Sequence, residues 1–157
     1  MRRLTLVLML AVSLNSVCSA RERNSHIAGD EIKPEAERAF GEILELWHSK
    51  KYDELYDKTR SGGTQTREKF VGKLSAVPIR PACCWQQMQD VTVTVKNEKN
   101  VVIRAKIGME GLGDTRYKTG SFKLRKEGGV WRVSRSELLS LAGAAKKKGQ
   151  RFKKTRI

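Results

Sequence analysis

The chain has 157 residues, with 32 Lys and Arg against 17 Asp and Glu, so its formal net charge is +15. This length is enough for one domain that buries a hydrophobic core without help from disulfides or metals. The sequence contains no glycine-rich phosphate loop, zinc-ligand spacing or nucleophile elbow, which argues against those chemistries.

The first twenty residues have the layout of a secretory signal peptide. Arg2 and Arg3 form a positive n-region, an apolar run covers residues 4–14, and small residues end the segment at Ala20. The run is too short to span a bilayer, which needs about 20 residues, so we predict cleavage after Ala20 rather than an uncleaved anchor. The protein is therefore expected to be exported, to the periplasm or outside the cell.

Cys18 suggests a second interpretation, because a lipid-modified cysteine would anchor the protein to a membrane. A lipidation motif has Leu three residues before the cysteine and Gly or Ala directly before it. This chain has Asn15 and Val17 at those positions. We therefore expect that the protein is not a lipoprotein and that Cys18 is removed with the signal peptide.

The C-terminal segment, residues 143–157, is strongly basic and is predicted to be a disordered tail, since blocks of like charge resist compaction. Such a tail would be attracted to anionic lipid or acidic glycan, or it would only confer solubility, and both interpretations stay open. Nucleic acid is less expected, because export separates the chain from it and Phe152 is the only aromatic residue available for base stacking. The cations of the tail are Lys146, Lys147, Lys148, Arg151, Lys153, Lys154 and Arg156.

The first half of the remaining chain has helical patterning. Residues 21–33 are mixed in charge and poor in apolar residues, which predicts a flexible leader, and Pro34 is expected to begin the first helix. A short helix over residues 52–58 and a third helix capped by Thr66 follow. The first helix carries apolar residues at helical spacing, which predicts a stripe that faces the core: Ala36, Phe40, Ile43, Leu44 and Trp47.

From Gln86 onward the apolar residues alternate, as they do in strands with one buried face. We expect a bulge near Gly120 in the third strand and a closing helix or strand extension over residues 136–142. The predicted strands, of which the first two form an antiparallel hairpin, are residues 91–96, 101–109, 116–126 and 130–135. Their other face is expected to be solvated or to bind anions, and it carries Thr92, Thr94, Arg104, Lys106, Lys123, Arg125 and Arg132.

Helices followed by strands, without βαβ alternation, predict an α+β fold for residues 34–142. We expect three N-terminal helices packed on one face of a curved four-stranded antiparallel sheet. The interior of the domain would lie between these two layers.

The order of these elements resembles the nuclear transport factor 2-like superfamily, the cone-shaped α+β fold shared with cystatin-like proteins. The resemblance covers roughly residues 35–140 and rests on the segments LELWHSKKYDELYDKT, TREKFVGKL and, most distinctively, KEGGVWRV. It implies an exported bacterial member with a pocket between sheet and helices for a small amphipathic ligand, and a homodimer formed through the sheet. Enzymes of the superfamily place an acid–base pair in that pocket, but no residue of this chain matches their motifs.

His48 is a candidate for acid–base chemistry, because Asp53 and Tyr56 are close to it in sequence. A histidine beside a carboxylate can act as a general base, and a tyrosine hydroxyl can stabilise an enolate. We favour a structural role for these residues, since nothing in the sequence fixes them around a common point. No metal or cofactor is expected.

Cys83 and Cys84 are adjacent, and they are the cysteines left after removal of the signal peptide. Thiols in an oxidising compartment normally pair, although adjacent cysteines can close only a strained ring. Three outcomes stay open: a vicinal disulfide, reduced buried thiols, and bridges to another chain. A structural role is favoured, because no third soft ligand clusters with the pair to hold a metal ion.

Three functions are compatible with the sequence. The preferred one is a non-enzymatic ligand- or partner-binding module, which its basic tail holds at anionic envelope surfaces. The second is a pocket enzyme that performs isomerase- or dehydratase-like proton transfer with His48. The third is a polyanion-binding protein that acts through the tail.

Overall fold

The computed structural model describes residues 19–60, 65–111 and 113–144, with side chains from Asp30 onward. The predicted signal peptide up to residue 18, including Cys18, and the seven cations of the predicted tail lie outside the described residues. The elements in chain order are α1 Ser19–His48, α2 Tyr52–Asp57, β1 Thr59–Arg60, α3 Arg67–Ser75, β2 Arg80–Pro81, a 3-10 turn Cys84–Gln86, β3 Met88–Asn97, β4 Asn100–Glu110, β5 Thr115–Glu127, β6 Val130–Ser134 and α4 Arg135–Ala142.

The described strands form one mixed sheet in the order β1-β6-β5-β4-β2, and β3 pairs with β4 as well. β1 runs parallel to β6, and the other pairs are antiparallel. The α+β class is confirmed, but the described residues contain six strands and four helices rather than the predicted four and three. β1 and β2 have two residues each, too few for an alternating pattern to reveal them.

α1 begins before Pro34 and contains it, so Pro34 does not start the helix and residues 21–33 lie within the bounds of α1. Proline fixes a helical φ angle and removes only one hydrogen bond of the helix. It therefore marks a helix start only when the preceding residues cannot continue the helix themselves.

The hydrophobic core lies between α1 and the inner face of the sheet. All five residues of the predicted stripe on α1 are fully buried, as the sequence pattern predicts. The ring of Phe40 packs 4.8 Å from the ring of Phe122 on β5, measured between centroids. Helices α2, α3 and α4 and strands β4 to β6 supply further residues of this interior, including Leu55, Phe70, Leu74, Ile103, Ile107, Leu124, Trp131, Val133 and Leu138.

β5 has no bulge at Gly120, contrary to the sequence-based prediction. Gly120 pairs with Ala105 in an uninterrupted register between β4 and β5. The alternation of β5 looks broken in the sequence because Tyr117 points away from the core and is 38% exposed. A side chain at Gly120 would come within 3.0 Å of the Phe122 ring, so glycine makes room for that ring. The register shifts lie in β3 instead.

Replacing Phe40 by alanine should lower the free energy of unfolding by about 3–5 kcal/mol, because it removes a fully buried ring at the contact of α1 with β5. The matched control is Trp85→Ala, whose side chain is 73% exposed; it should change stability by no more than about 0.5 kcal/mol. Urea unfolding followed by far-ultraviolet circular dichroism measures both. Equal losses for the two variants would contradict the described core.

An ion pair joins the side chain of Glu35 on α1 to β5. Nζ of Lys126 lies 2.7 and 2.8 Å from the two carboxylate oxygens of Glu35, and it also lies 5.5 Å from the centroid of the Trp131 ring. The hydrogen bond from Lys126 holds the pKa of Glu35 below its ordinary value, although partial burial opposes this effect.

Because the pKa of Glu35 is lower in the folded than in the unfolded chain, the stabilisation from this pair is present at neutral pH. It is lost as the pH falls through the ordinary carboxyl range and then through the lowered value. Glu35→Gln should therefore cost at most about 1 kcal/mol at pH 7, since both side chains are roughly one-third exposed. In acid-series urea unfolding, the difference from wild type should vanish in strong acid. The control is Glu31→Gln at an exposed site of α1, and a pH-independent difference for Glu35→Gln would refute the linkage.

Candidate functional site

His48 ends α1 and faces the end of the sheet rather than α2. Its Nδ1 atom lies 2.9 Å from the carbonyl oxygen of Pro81, to which it can donate, and 3.4 Å from Oε1 of Glu110. The same Oε1 accepts a hydrogen bond of 2.8 Å from Nε of Arg80. The carboxylate beside His48 is therefore Glu110 at the end of β4, a partner that the sequence analysis did not identify.

Asp53 and Tyr56 do not join His48, so the acid–base group considered from the sequence is not assembled. Asp53 is exposed, and its Oδ1 lies 3.6 Å from a terminal nitrogen of Arg67. The ring of Tyr56 lies between two guanidinium groups, 4.6 Å from Arg67 and 3.7 Å from Arg135. A tight turn at Lys50, with φ of 60°, separates α1 from α2, and proximity in sequence therefore does not bring the side chains together.

Arg135 is a buried cation that the sequence analysis missed. Its Nε donates to Oγ1 of Thr59 and one terminal nitrogen donates to the carbonyl of Gln65, each at 2.9 Å. With Tyr56 it forms a cation–π contact, which is strengthened by exclusion of water. Arg135 thus joins α4 to β1 and to the start of α3, and its role is structural.

Cys83 and Cys84 form a vicinal disulfide, one of the three outcomes that the sequence left open, with Cα atoms 3.8 Å apart. Both residues are exposed, which does not fit the alternative of buried thiols. The next residue, Trp85, is 73% exposed. The turn packs closely on β4, because a side chain at Gly108 would collide with the carbonyl of Gln86.

The outer sheet face is the surface turned away from α1. In the strand register, Arg104 lies opposite both Thr92 of β3 and Ser121 of β5. Lys123 lies opposite Val102, and Arg125 lies opposite Arg132. These pairings confirm that the predicted polar and basic residues share this face. Arg60 of β1 joins it beside Ser134. We call six residues of this surface the outer-face cations: Arg60, Arg104, Lys106, Lys123, Arg125 and Arg132.

A cleft of about 510 Å³ lies at one corner of the outer sheet face. Three of the outer-face cations line it, one each from β1, β5 and β6: Arg60, Arg125 and Arg132. Thr59, Glu127 and Gly128 complete its lining. The cleft therefore brings together residues that are far apart in the sequence.

Two further findings concern the described part of the chain. It contains no group of three or more His, Cys, Asp or Glu side chains that could hold a metal ion. Within the same residues, no helix combines the length and the apolar character needed to cross a membrane.

The chain was compared with family models, curated proteins and solved structures. No protein-family model matches this sequence, and neither does the sequence of any curated protein. Among solved structures, the chain is similar to an NTF2-like protein with a cystatin-like fold from Novosphingobium aromaticivorans, at 11% identity and a TM-score of 0.49. The alignment covers 75% of this chain and 87% of that chain.

The oxidised state of the cysteine pair predicts the behaviour of the intact protein toward alkylation. Without reductant, the chain lacking residues 1–20 should take up no alkyl group, because Cys83 and Cys84 are bonded to each other. After reduction it should take up two, since both residues are exposed. Intact-mass spectrometry measures both states, and a Cys83→Ser/Cys84→Ser variant is the control that never reacts. Two reactive thiols in the non-reduced protein would refute the disulfide.

Proposed function

We propose that this protein is an exported binding module that attaches to an anionic polysaccharide of the cell envelope through its outer sheet face, assisted by its basic tail. The observation that carries the proposal is the excess of positive charge on that face. In the described residues, Glu127 is the carboxylate that lies within about 4 Å of a side-chain nitrogen of these six cations, and half-buried Glu137 interacts electrostatically with Arg60 and Lys123.

The chemistry of the outer sheet face suits a hydrated polymer with repeated negative charges. Four of the outer-face cations are arginines, whose planar guanidinium groups bind carboxylate, sulfate or phosphate groups in bidentate geometry. Hydroxyl side chains lie among them and offer hydrogen bonds to sugar hydroxyls: Thr92, Thr94, Thr119, Ser121 and Ser134. A long, nearly regular sheet surface also provides room for an extended chain.

Other polyanions fit this face less well. Two large apolar side chains are exposed in the described residues, Tyr117 on this face and Trp85 in the turn that packs on β4, and Nζ of Lys106 lies 4.7 Å from the centroid of the Tyr117 ring. The face therefore offers little that could insert between lipids and no series of aromatic rings for stacking bases. A homodimer that pairs two such faces would bring like charges together, which is unfavourable.

The two alternatives within the cone have less support. An amphipathic ligand would need open space between α1 and the sheet, where Phe40, Trp47 and Ile103 are fully buried and packed. Proton transfer by His48 would need an unengaged base beside a substrate. Its Nδ1 is directed at the carbonyl of Pro81, and Glu110 is shared with Arg80.

Reversing charge on the outer sheet face should weaken binding to an immobilised sulfated polysaccharide such as heparin. In the variant Arg104→Glu/Lys106→Glu/Lys123→Glu, we expect at least a tenfold loss of affinity and a shallower dependence on salt, because fewer counterions are released. The matched control carries the same change of charge on exposed helical positions: Arg38→Glu/Lys69→Glu/Lys73→Glu. Equilibrium binding is measured over a range of salt concentrations, with far-ultraviolet circular dichroism to verify folding.

The outcomes separate the hypotheses. A large loss in the outer-face variant and a small loss in the control support the proposal. Equal losses would mean that only net charge matters and would refute it. Binding that disappears on deletion of residues 145–157 but not in the outer-face variant would assign the function to the tail. Tighter binding to anionic vesicles than to the polysaccharide would refute the choice of partner.

A further inference from the structure

The corner cleft of the outer sheet face contains an arrangement of charge that works against folding. Arg125 on β5 and Arg132 on β6 are direct cross-strand partners. Like charges at directly opposed positions of an antiparallel pair are destabilising. Arg60 lines the same cleft, so a third guanidinium adds to the repulsion.

Neighbouring groups compensate this charge only in part. Oε1 and Oε2 of Glu127 lie 3.8 Å from Nε of Arg125 and 3.9 Å from Nε of Arg132, which is longer than a good charged hydrogen bond. Arg132 also donates to the carbonyl of Asp57. Nε of Arg60 is buried and has no hydrogen-bond partner in the described part of the chain. The three guanidinium groups therefore have two carboxylates near them, Glu127 beside Arg125 and Arg132 and Glu137 acting on Arg60, and neither makes a short hydrogen bond to them.

Arg135 shows how this fold treats an arginine with a purely structural role. That side chain is only 9% exposed, its Nε and one terminal nitrogen have acceptors at 2.9 Å, and its plane stacks on Tyr56. The side chain of Arg125, in contrast, is 57% exposed, and among the described residues its one ion-pair contact is the long one with Glu127. Its donors are thus available to a ligand in the cleft.

We propose that this cleft is a discrete site for a tetrahedral oxyanion, the terminal sulfate or phosphate group of an ester. Three guanidinium groups from three strands can surround the oxygens of a tetrahedral group, whereas a single arginine already satisfies a carboxylate in bidentate geometry. The inference deepens the proposed function, on which it rests, by naming the substituent of the polysaccharide that the outer sheet face recognises. The cleft volume of about 510 Å³ leaves space for the sugar that bears it.

The experiment uses inorganic sulfate and inorganic phosphate as separate probes of the full exported chain. Backbone amide shifts of Arg60 and of the β5–β6 turn, including Gly128, are followed by NMR during titration at constant ionic strength. Arg125→Gln should weaken binding of the anion about tenfold or more, because it removes charged hydrogen bonds to it. Arg104→Gln is the matched control: it removes the same charge from the same face, one strand away from the cleft.

A second measurement keeps the test independent of folding defects. Since Arg125 faces Arg132, Arg125→Gln should leave the unfolding midpoint of the anion-free protein unchanged or raise it, while reducing the increase that sulfate or phosphate gives. Equal weakening of anion binding by Arg104→Gln would refute a discrete site. Absence of anion binding in wild type, with heparin binding intact, would refute the site and leave the proposed function standing. Anion binding at the cleft without heparin binding would reject the proposed function and retain the site.

Discussion

The packing of α1 against the sheet is the constraint on which the rest of this structure depends. Phe40 and Trp47 are buried against strands whose side chains alternate between two faces, so this contact decides which residue of each strand points inward. A shift of one residue would exchange the two faces of a strand. Burial of Ile103, Leu124 and Val133 therefore obliges Arg104, Arg125 and Arg132 to point outward. The basic surface proposed as the binding face follows directly from the formation of the core.

The two edges of the sheet differ in how many of their polar side chains have hydrogen-bond or ion-pair partners within the fold. At the β2 edge, His48 and Arg80 converge on Glu110, and the disulfide of Cys83 with Cys84 lies in the adjoining turn. At the β1 edge, Arg125 and Arg132 share Glu127 through long contacts, and Nε of Arg60 has no hydrogen-bond partner in the described residues. Buried polar groups normally find partners within the fold, so donors left without them indicate where a ligand can supply the missing acceptors. This contrast is the reason for assigning binding to the β1 edge and a stabilising role to the β2 edge.

Arginine has two roles in this protein, and the groups that surround each arginine decide which role it has. Arg135 and Arg125 are ten residues apart in sequence, and both follow strand residues of mixed character. Arg135 is enclosed by Thr59, Gln65 and Tyr56, so its charge is stabilised by two acceptors and an aromatic face. Arg125 has water on one side and Arg132 on the other. Removal of either would change net charge equally, but only the first would leave buried groups without partners.

The sequence alone determined the α+β class, the core-facing stripe of α1, the Thr66 cap of α3 and the basic face of the strands, because these features depend on local periodicity and capping. It did not reveal β1 and β2, whose pairing partners are distant and whose length is two residues. It also misjudged Pro34 and Gly120, since continuation of a helix and space for the Phe122 ring depend on surrounding structure.

Only the tertiary structure paired His48 with Glu110 instead of Asp53 and gathered Arg60, Arg125 and Arg132 at one cleft. Contacts between residues far apart in the chain are decided when strands pair, and no local pattern encodes them.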